Sequence, residues 1–276
     1  MLKILDSLRR RWRLSRQSDA ARGAAAARED IRRTMPDNVA ALGWNSYSQC
    51  DEDGIIRECL RRIASASSLS RTFIEVGCGN GLENNTHQLV LDGFQGCWVD
   101  GSKEDIARLH REVAPAGSKR LSIQHRFLTK DNITEVMVHC VQHLATEDVD
   151  LFSLDIDGND IHMVRASLGV LKPKLLLMDE PFASLDAIVR ARLTQELLTW
   201  VEQEHMSVLL VTHDLEEALT VSDTVYLLSQ GPRARIRKSY TISIPRARDV
   251  FATRRHPSFA PLVEQLWKDM FDEASP

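Results

Sequence analysis

The sequence predicts an α/β protein, a mostly parallel sheet with helices on both faces, preceded by a basic N-terminal helix. Three observations predict it. Short runs rich in Val, Ile, Leu and Phe recur without clean polar alternation, as strands buried on both faces do. Segments with helical spacing separate those runs. One run, Phe73-Ile74-Glu75-Val76, leads straight into Gly77-Cys78-Gly79-Asn80-Gly81, the strand-to-glycine join of a Rossmann-like nucleotide-binding sheet.

The elements follow in order. Leu5, Leu8 and Trp12 recur at helical spacing among arginines, so residues 1–33 read as a basic amphipathic helix that Met35-Pro36-Asp37-Asn38 breaks. Such a helix suits peripheral contact with an anionic membrane surface, or packing of its apolar stripe on the domain. Helix Ile55–Ile63 precedes strand Phe73–Val76, followed by strand Gly96–Asp100, helix Lys103–Glu112, strand Leu121–Phe127 and helix Ile133–His143. Then come strand Asp150–Asp157, strand Lys174–Asp179, helix Ile188–Glu204, strand Ser207–Thr212, helix Leu215–Val221 and strand Thr224–Ser229. Arg235–Ser243, with alternating charges, has the pattern of an edge strand, and Phe259–Phe271 that of an amphipathic helix.

Bulk properties narrow the class. The 276 residues are 43% hydrophobic and 27% charged, enough for one large core or two modest ones. A net charge of −4 gives no overall basic field for nucleic acid. No run reaches the roughly 18 apolar residues of a membrane span, and no apolar core follows the first arginines, so neither a span nor a secretory signal is expected. Cys50, Cys59, Cys78, Cys97 and Cys140 lack CxxC pairing, against a disulfide framework or zinc site and in favour of a reducing cytoplasm.

The glycine loop carries the first functional expectation. Gly77, Gly79 and Gly81 let the backbone turn tightly and approach a ligand. Asp100 ends the next strand about 20 residues on, where a carboxylate accepts both ribose hydroxyls. The spacing is GxGxG rather than the GxGxxG that seats a pyrophosphate on a helix N-terminus. Glu75, just before the loop, suits a cationic ligand end, which favours S-adenosylmethionine over NAD.

Gln49–Ile56, Phe73–Gly81, Glu83-Asn84-Asn85-Thr86, Gly96–Ser102, Phe127–Ile133 and Asp150–Asp160 together resemble the FkbM-type class I methyltransferase-like family, collinearly over residues 45–172. The resemblance implies an adenosylmethionine-binding domain acting on oxygen atoms of a small-molecule acceptor. Asp155, Asp157 and Asp160 then lie at the carboxyl edge of the sheet, where open α/β sheets bind ligands. Asp155 and Asp157 are candidate catalytic carboxylates, as a general base on a hydroxyl. The three carboxylates could alternatively hold a divalent cation, or serve as helix caps and solvated turn residues; no metal ligand is assigned.

From Leu171 the chain resembles a different family. Leu175-Leu176-Leu177-Met178-Asp179-Glu180-Pro181 resembles the Walker B strand of ABC-transporter ATPase subunits, Ala183-Ser184-Leu185-Asp186 their D-loop, and Val211-Thr212-His213-Asp214 their switch-histidine segment. The order matches the nitrate, sulfonate and taurine importer type. The resemblance implies that Asp179 helps hold Mg²⁺, Glu180 polarises water and His213 meets the γ-phosphate. No Gly-x-x-x-x-Gly-Lys-Ser/Thr loop or signature segment occurs in these residues, so neither Mg·ATP hydrolysis nor docking on an ABC permease is expected. Leu171-Lys172-Pro173-Lys174 satisfies both families at the join. The chain therefore reads as three parts: a basic arm (1–44), an adenosylmethionine-binding part (45–172) and an ATPase-like part (173–276) completing the sheet. The alternative function is an ABC ATP-binding fragment or chimera without turnover.

Overall fold

The computed structural model describes residues 32–33, 39–42, 52–81, 84–113, 119–156, 160–183, 185–228 and 236–271. The expected arginine-rich helix lies almost wholly outside them. After a 3-10 turn at Val39–Leu42, the elements are α1 (Glu52–Ala66), β1 (Thr72–Val76), α2 (His87–Leu91), β2 (Gln95–Asp100), α3 (Lys103–Glu112), β3 (Leu121–His125), α4 (Ile133–Leu144) and β4 (Asp148–Leu154). They continue with α5 (Asp160–Ser167), β5 (Lys172–Asp179), α6 (Ala187–Glu204), β6 (Ser207–Val211), α7 (Leu215–Val221), β7 (Thr224–Leu228), β8 (Ile236–Thr241), α8 (Val250–Arg255) and α9 (Phe259–Phe271).

Six strands form one parallel sheet in the order β3-β2-β1-β4-β5-β6. The chain leaves β1 toward β2 and returns on its other side as β4, so the strand order reverses between β1 and β4. Every residue of β1 is buried, which explains the unbroken apolar run. Successive side chains point to opposite faces. Ile74, Val76, Phe152, Leu176 and Met178 pack with α4, α5 and α6 on one face. Phe73, Trp98, Leu151, Leu175 and Leu177 pack with α1, α2 and α3 on the other.

Both cores run across the expected join. β4 and β5 pair from Asp148↔Lys172 to Leu154↔Met178. At their amino ends Asp150 is fully buried and accepts hydrogen bonds from the N–H groups of Ser70 (3.2 Å), Arg71 (2.5 Å) and Thr72 (3.2 Å). The Lys174 ammonium completes the set, donating to Asp150 Oδ1 and to the Ser68 carbonyl, both at 2.7 Å. A carboxylate taken out of water is tolerable only with such partners.

The end of the chain departs from expectation. β7 and β8 do not extend the large sheet but pair antiparallel with each other. The cause is a separate core: Val225, Leu227 and Tyr240 turn toward Leu219 of α7 and Phe259 and Leu266 of α9. The strand expected to reach Asp157 ends at Leu154, because the Ile156 N–H is already taken by Asp160 Oδ1 (3.0 Å) at the start of α5. Helices α2, α5 and α8 have no counterpart in the sequence expectations.

Replacing Lys174 with Met should cost roughly 2–3 kcal/mol in urea unfolding, below the range for a fully buried pair because Lys174 keeps 22% exposure. Lys172→Met, which removes an exposed pair with Glu147, should leave the urea unfolding midpoint essentially unchanged. Equal effects would show that the Asp150 cluster does not brace the join.

Candidate functional site

Strand β1 ends at the switch point and the glycine loop crosses the carboxyl edge there. Gly77 donates to the Val99 carbonyl (2.9 Å), and Asp155 donates to the Val76 carbonyl (3.1 Å), so β2 and β4 both grip the loop's root. Gly77 has φ +80°, and a Cβ there would lie 1.8 Å from the Asp155 carbonyl oxygen. Its glycine is demanded by the close approach of the β4 end. Gly81, at φ +71°, similarly backs onto Leu109 and Trp98. Gly79 is different: at φ +52° its Cβ position has nothing within 4 Å. Of the three glycines, Gly79 is the one that fronts open space.

Asp100 stands beside it. One carboxylate oxygen accepts from the Gly79 N–H (2.8 Å) and the other from the Ser102 N–H (2.7 Å). Each oxygen has a second lone pair to offer, and the residue is half-buried. Cys78 is buried, and burial pushes its thiol well above the ordinary cysteine value, so it packs rather than reacts.

Glu75 does not face the opening. It lies in register between Trp98 of β2 and Ser153 of β4, and only 2% of it is exposed. Its oxygens accept from the Asn84 side-chain amide (3.0 Å), the Asn85 N–H (2.9 Å) and the Thr86 hydroxyl. Thr86 in turn accepts the Trp98 indole N–H at 2.7 Å. Burial raises the Glu75 carboxyl to about 7, against the lowering effect of those donors. Its carboxylate heads a chain of internal hydrogen bonds that ties residues 84–86 to the sheet. Asn85 adds a bond from its side-chain amide to Ser153 Oγ (3.3 Å), and His87 Nδ1 is 2.5 Å from the Gly81 carbonyl oxygen.

Asp155 is exposed just past β4, at the same edge. Asp157 lies outside the described residues. Among the described residues no group of three His, Cys, Asp or Glu side chains is placed to hold a metal ion.

The ATPase-like residues occupy the neighbouring part of this edge. Asp179, exposed, ends β5 opposite Val211 of β6. Glu180 follows in the left-handed region (φ 45°) and meets His213: its Oε1 lies 2.5 Å from Nδ1 and accepts the His213 N–H at 3.1 Å. This pairing raises the imidazole pKa above its ordinary value. Asp186 serves as the N-cap of α6, accepting from Ile188 (3.0 Å) and Val189 (3.1 Å). Two further acids gain a role only in the structure: Asp214, which caps α7 and pairs with Arg190 at 3.2 Å, and Glu217, which burial raises to about 7. The run Asp214-Leu215-Glu216-Glu217, an acid cap before acidic first-turn residues, is the signal that marks that cap.

No protein-family profile matches the chain. A bicarbonate transport ATP-binding protein of Synechococcus elongatus is 39% identical over 95 residues, 34% of this chain and 14% of that protein. A nitrate import ATP-binding protein of Synechocystis is 42% identical over 95 residues, covering 34% and 14%. A second bicarbonate transport ATP-binding protein, also of Synechocystis, is 30% identical over 155 residues, 56% of this chain and 52% of its own length. The chain thus spans about one seventh of the first two relatives and contains a segment similar to ABC ATP-binding proteins. A solved magnesium protoporphyrin IX methyltransferase of Synechocystis with bound adenosylmethionine superposes at TM-score 0.32 and 8% identity, covering 77% of this chain and 94% of that one. A superposition that loose carries no argument.

The two glycines separate by experiment. Gly77→Ala should cost about 3 kcal/mol or more in urea unfolding, through collision with the Asp155 carbonyl. Gly79→Ala should cost about 1–2 kcal/mol, the strain of a left-handed alanine in open space. Glu180→Gln should lower the NMR-measured pKa of His213, because the pairing that favours the imidazolium is lost. In the parent protein the His213–Glu180 contact therefore stabilises at low pH and fades as pH rises through the folded-state His213 pKa.

Proposed function

We propose that the chain binds S-adenosylmethionine across the carboxyl edge at the β1/β4 switch point, as a methyltransferase-like protein acting on a hydroxyl of a small-molecule acceptor. The observation that carries the reading is Gly79: a glycine that needs no absent Cβ for its own packing, facing open space beside a half-buried carboxylate. Asp100, with a lone pair left on each oxygen, would hold the ribose hydroxyls. Gly79 would let the backbone lie close to the ligand. Bound adenosylmethionine supplies an electrophilic methyl group. Asp155, solvated and at the same edge, would take a proton from the acceptor hydroxyl, with Asp157 as the second candidate. Glu75 enters as a positioning residue, through the 84–86 loop.

In this reading residues 45–172 form the ligand-binding part and residues 173–276 an ATPase-like part that lends β5 and β6 to the sheet, with 1–44 as a basic arm. The protein would act in the cytoplasm; no described helix is long and apolar enough to cross a membrane. A second reading, an ABC ATP-binding fragment, is favoured by the Glu180–His213 contact and by the similarity to the importer subunits. That pair needs a phosphate held by a glycine-lysine loop, which the 276 residues lack.

Calorimetric titration of the full chain tests the choice. Adenosylmethionine should bind at micromolar concentration and Mg·ATP should not, and binding of Mg·ATP alone would overturn the proposal. Asp100→Ala should weaken adenosylmethionine by roughly 1–3 kcal/mol, the loss of hydrogen bonds to a charged acceptor. Unchanged affinity would place the adenosine elsewhere.

A further inference from the structure

Strand β6 is hydrogen-bonded to β5 and, among the described residues, to no other strand; β7 is paired likewise to β8. A cavity of about 600 Å³ separates β6 from β7. All five residues of β6 and all five of β7 line it. Consecutive strand residues point to opposite faces, so a cavity touched by every one of them runs along the strand edges, not over a face. Two strand edges thus look at one another across a gap. Its remaining walls are largely apolar, with Ile55 and Ile56 from α1, Leu198 and Val201 from α6, and Leu266 and Met270 from α9. The volume is that of a small-ligand site. An acyl chain would fill the walls but leave the N–H and C=O groups of both edges unanswered, whereas an extended backbone answers both.

The gap has a polar end. Asp223, one residue before β7, pairs with Arg246 and, at 3.1 Å, with Arg248, and all three line the cavity. Glu202 is the other carboxylate of that wall. Arg248 is only 5% exposed, and its Nη2 donates to the Ile244 carbonyl at 3.2 Å, while its buried Nε has no hydrogen-bond partner among the described residues. A buried guanidinium N–H without an acceptor is costly, and a carboxylate is the acceptor that suits it.

We propose that the slot between β6 and β7 binds an extended apolar peptide segment, inserted as a strand, with its terminal carboxylate against Arg248. The carboxyl end then lies where β7 begins, so the inserted strand runs antiparallel to β7.

The test is fluorescence anisotropy of the full chain with an N-terminally labelled Val-Thr-Val-Thr-Val peptide. Saturable binding is expected. Amidating the peptide's carboxyl end should weaken it about tenfold, the worth of one charge-assisted hydrogen bond. N-methylating the central residue should weaken it about tenfold or more, since a strand between two edges uses every N–H. In Arg248→Met the free-acid and amide peptides should bind alike. If Arg248→Met fails to fold, the peptide comparisons on the parent chain still decide. The proposal is overturned by equal binding of the N-methylated peptide, by equal binding of acid and amide to the parent chain, or by no saturation up to about 1 mM. It is also overturned if dodecanoate saturates the site and the peptide does not, or if the chain dimerises through this slot and takes no peptide.

Discussion

The pairing of β4 with β5 is the constraint on which the rest depends. It joins a segment whose motifs resemble a methyltransferase-like family to one whose motifs resemble a transporter ATPase, and both hydrophobic layers cross it. Phe152 of β4 shares a core with Leu176, Met178 and Leu193, and Leu151 shares the other with Leu175 and Leu177. A one-residue slip would turn each of these side chains to the opposite face. The register is fixed at its amino end by Asp150, whose buried carboxylate gathers the turn before β1 and Lys174 of β5 around one charge. Asp150 and Lys174 come from opposite sides of the join, so the ion pair works only when both segments are folded together.

That sheet aligns everything of functional interest along one edge. Asp100, the glycine loop, Asp155, Asp179 and the Glu180–His213 pair all follow the carboxyl ends of parallel strands, where helix starts and loop N–H groups converge. The edge is nonetheless not uniform. Around β1 it is organised by internal hydrogen bonds running from Trp98 through Thr86 to Glu75, which hold the 84–86 loop and leave Gly79 and Asp100 available. Around β5 and β6 the carboxylates mostly cap helices or meet His213. Glu180 and His213 satisfy one another, and Asp186 and Asp214 satisfy the first N–H groups of α6 and α7.

Most of the parallel sheet was legible because its strands are unbroken apolar runs that stop at Gly, Asp or Ser. Lys103–Glu112, Leu215–Val221 and Phe259–Phe271 matched residue for residue, since each has a clear apolar period or a capping residue. The short α2 was not legible: five residues hold too little periodicity. Nor was α5, whose start lies in an acidic run that continues a strand pattern. Glu75 shows a subtler limit. The carboxylate beside the glycine loop was visible, but its direction depends on strand alternation: Glu75 shares the face of Phe73, and its register partners Trp98 and Ser153 close over it. The hairpin of β7 and β8 was misjudged because local pattern gives a strand but not its partner. Val225 and Leu227 find their core with α9 instead of the sheet.

The withdrawal of that hairpin has a structural consequence for the whole edge of the molecule. A parallel sheet normally hides its last strand under a helix or another strand, because an exposed ladder of N–H and C=O groups invites pairing. Here β6 carries Val208, Leu209 and Leu210, all only half-buried, next to a cavity instead. The antiparallel ribbon has spent one edge of β7 on β8 and holds the other toward the same space. The β4–β5 pairing solves the packing of the sheet's centre, where both strands bring continuous apolar faces. It does nothing for the sheet's rim. There the ATPase-like segment brings a ribbon with its own core, and two strand edges are left facing each other.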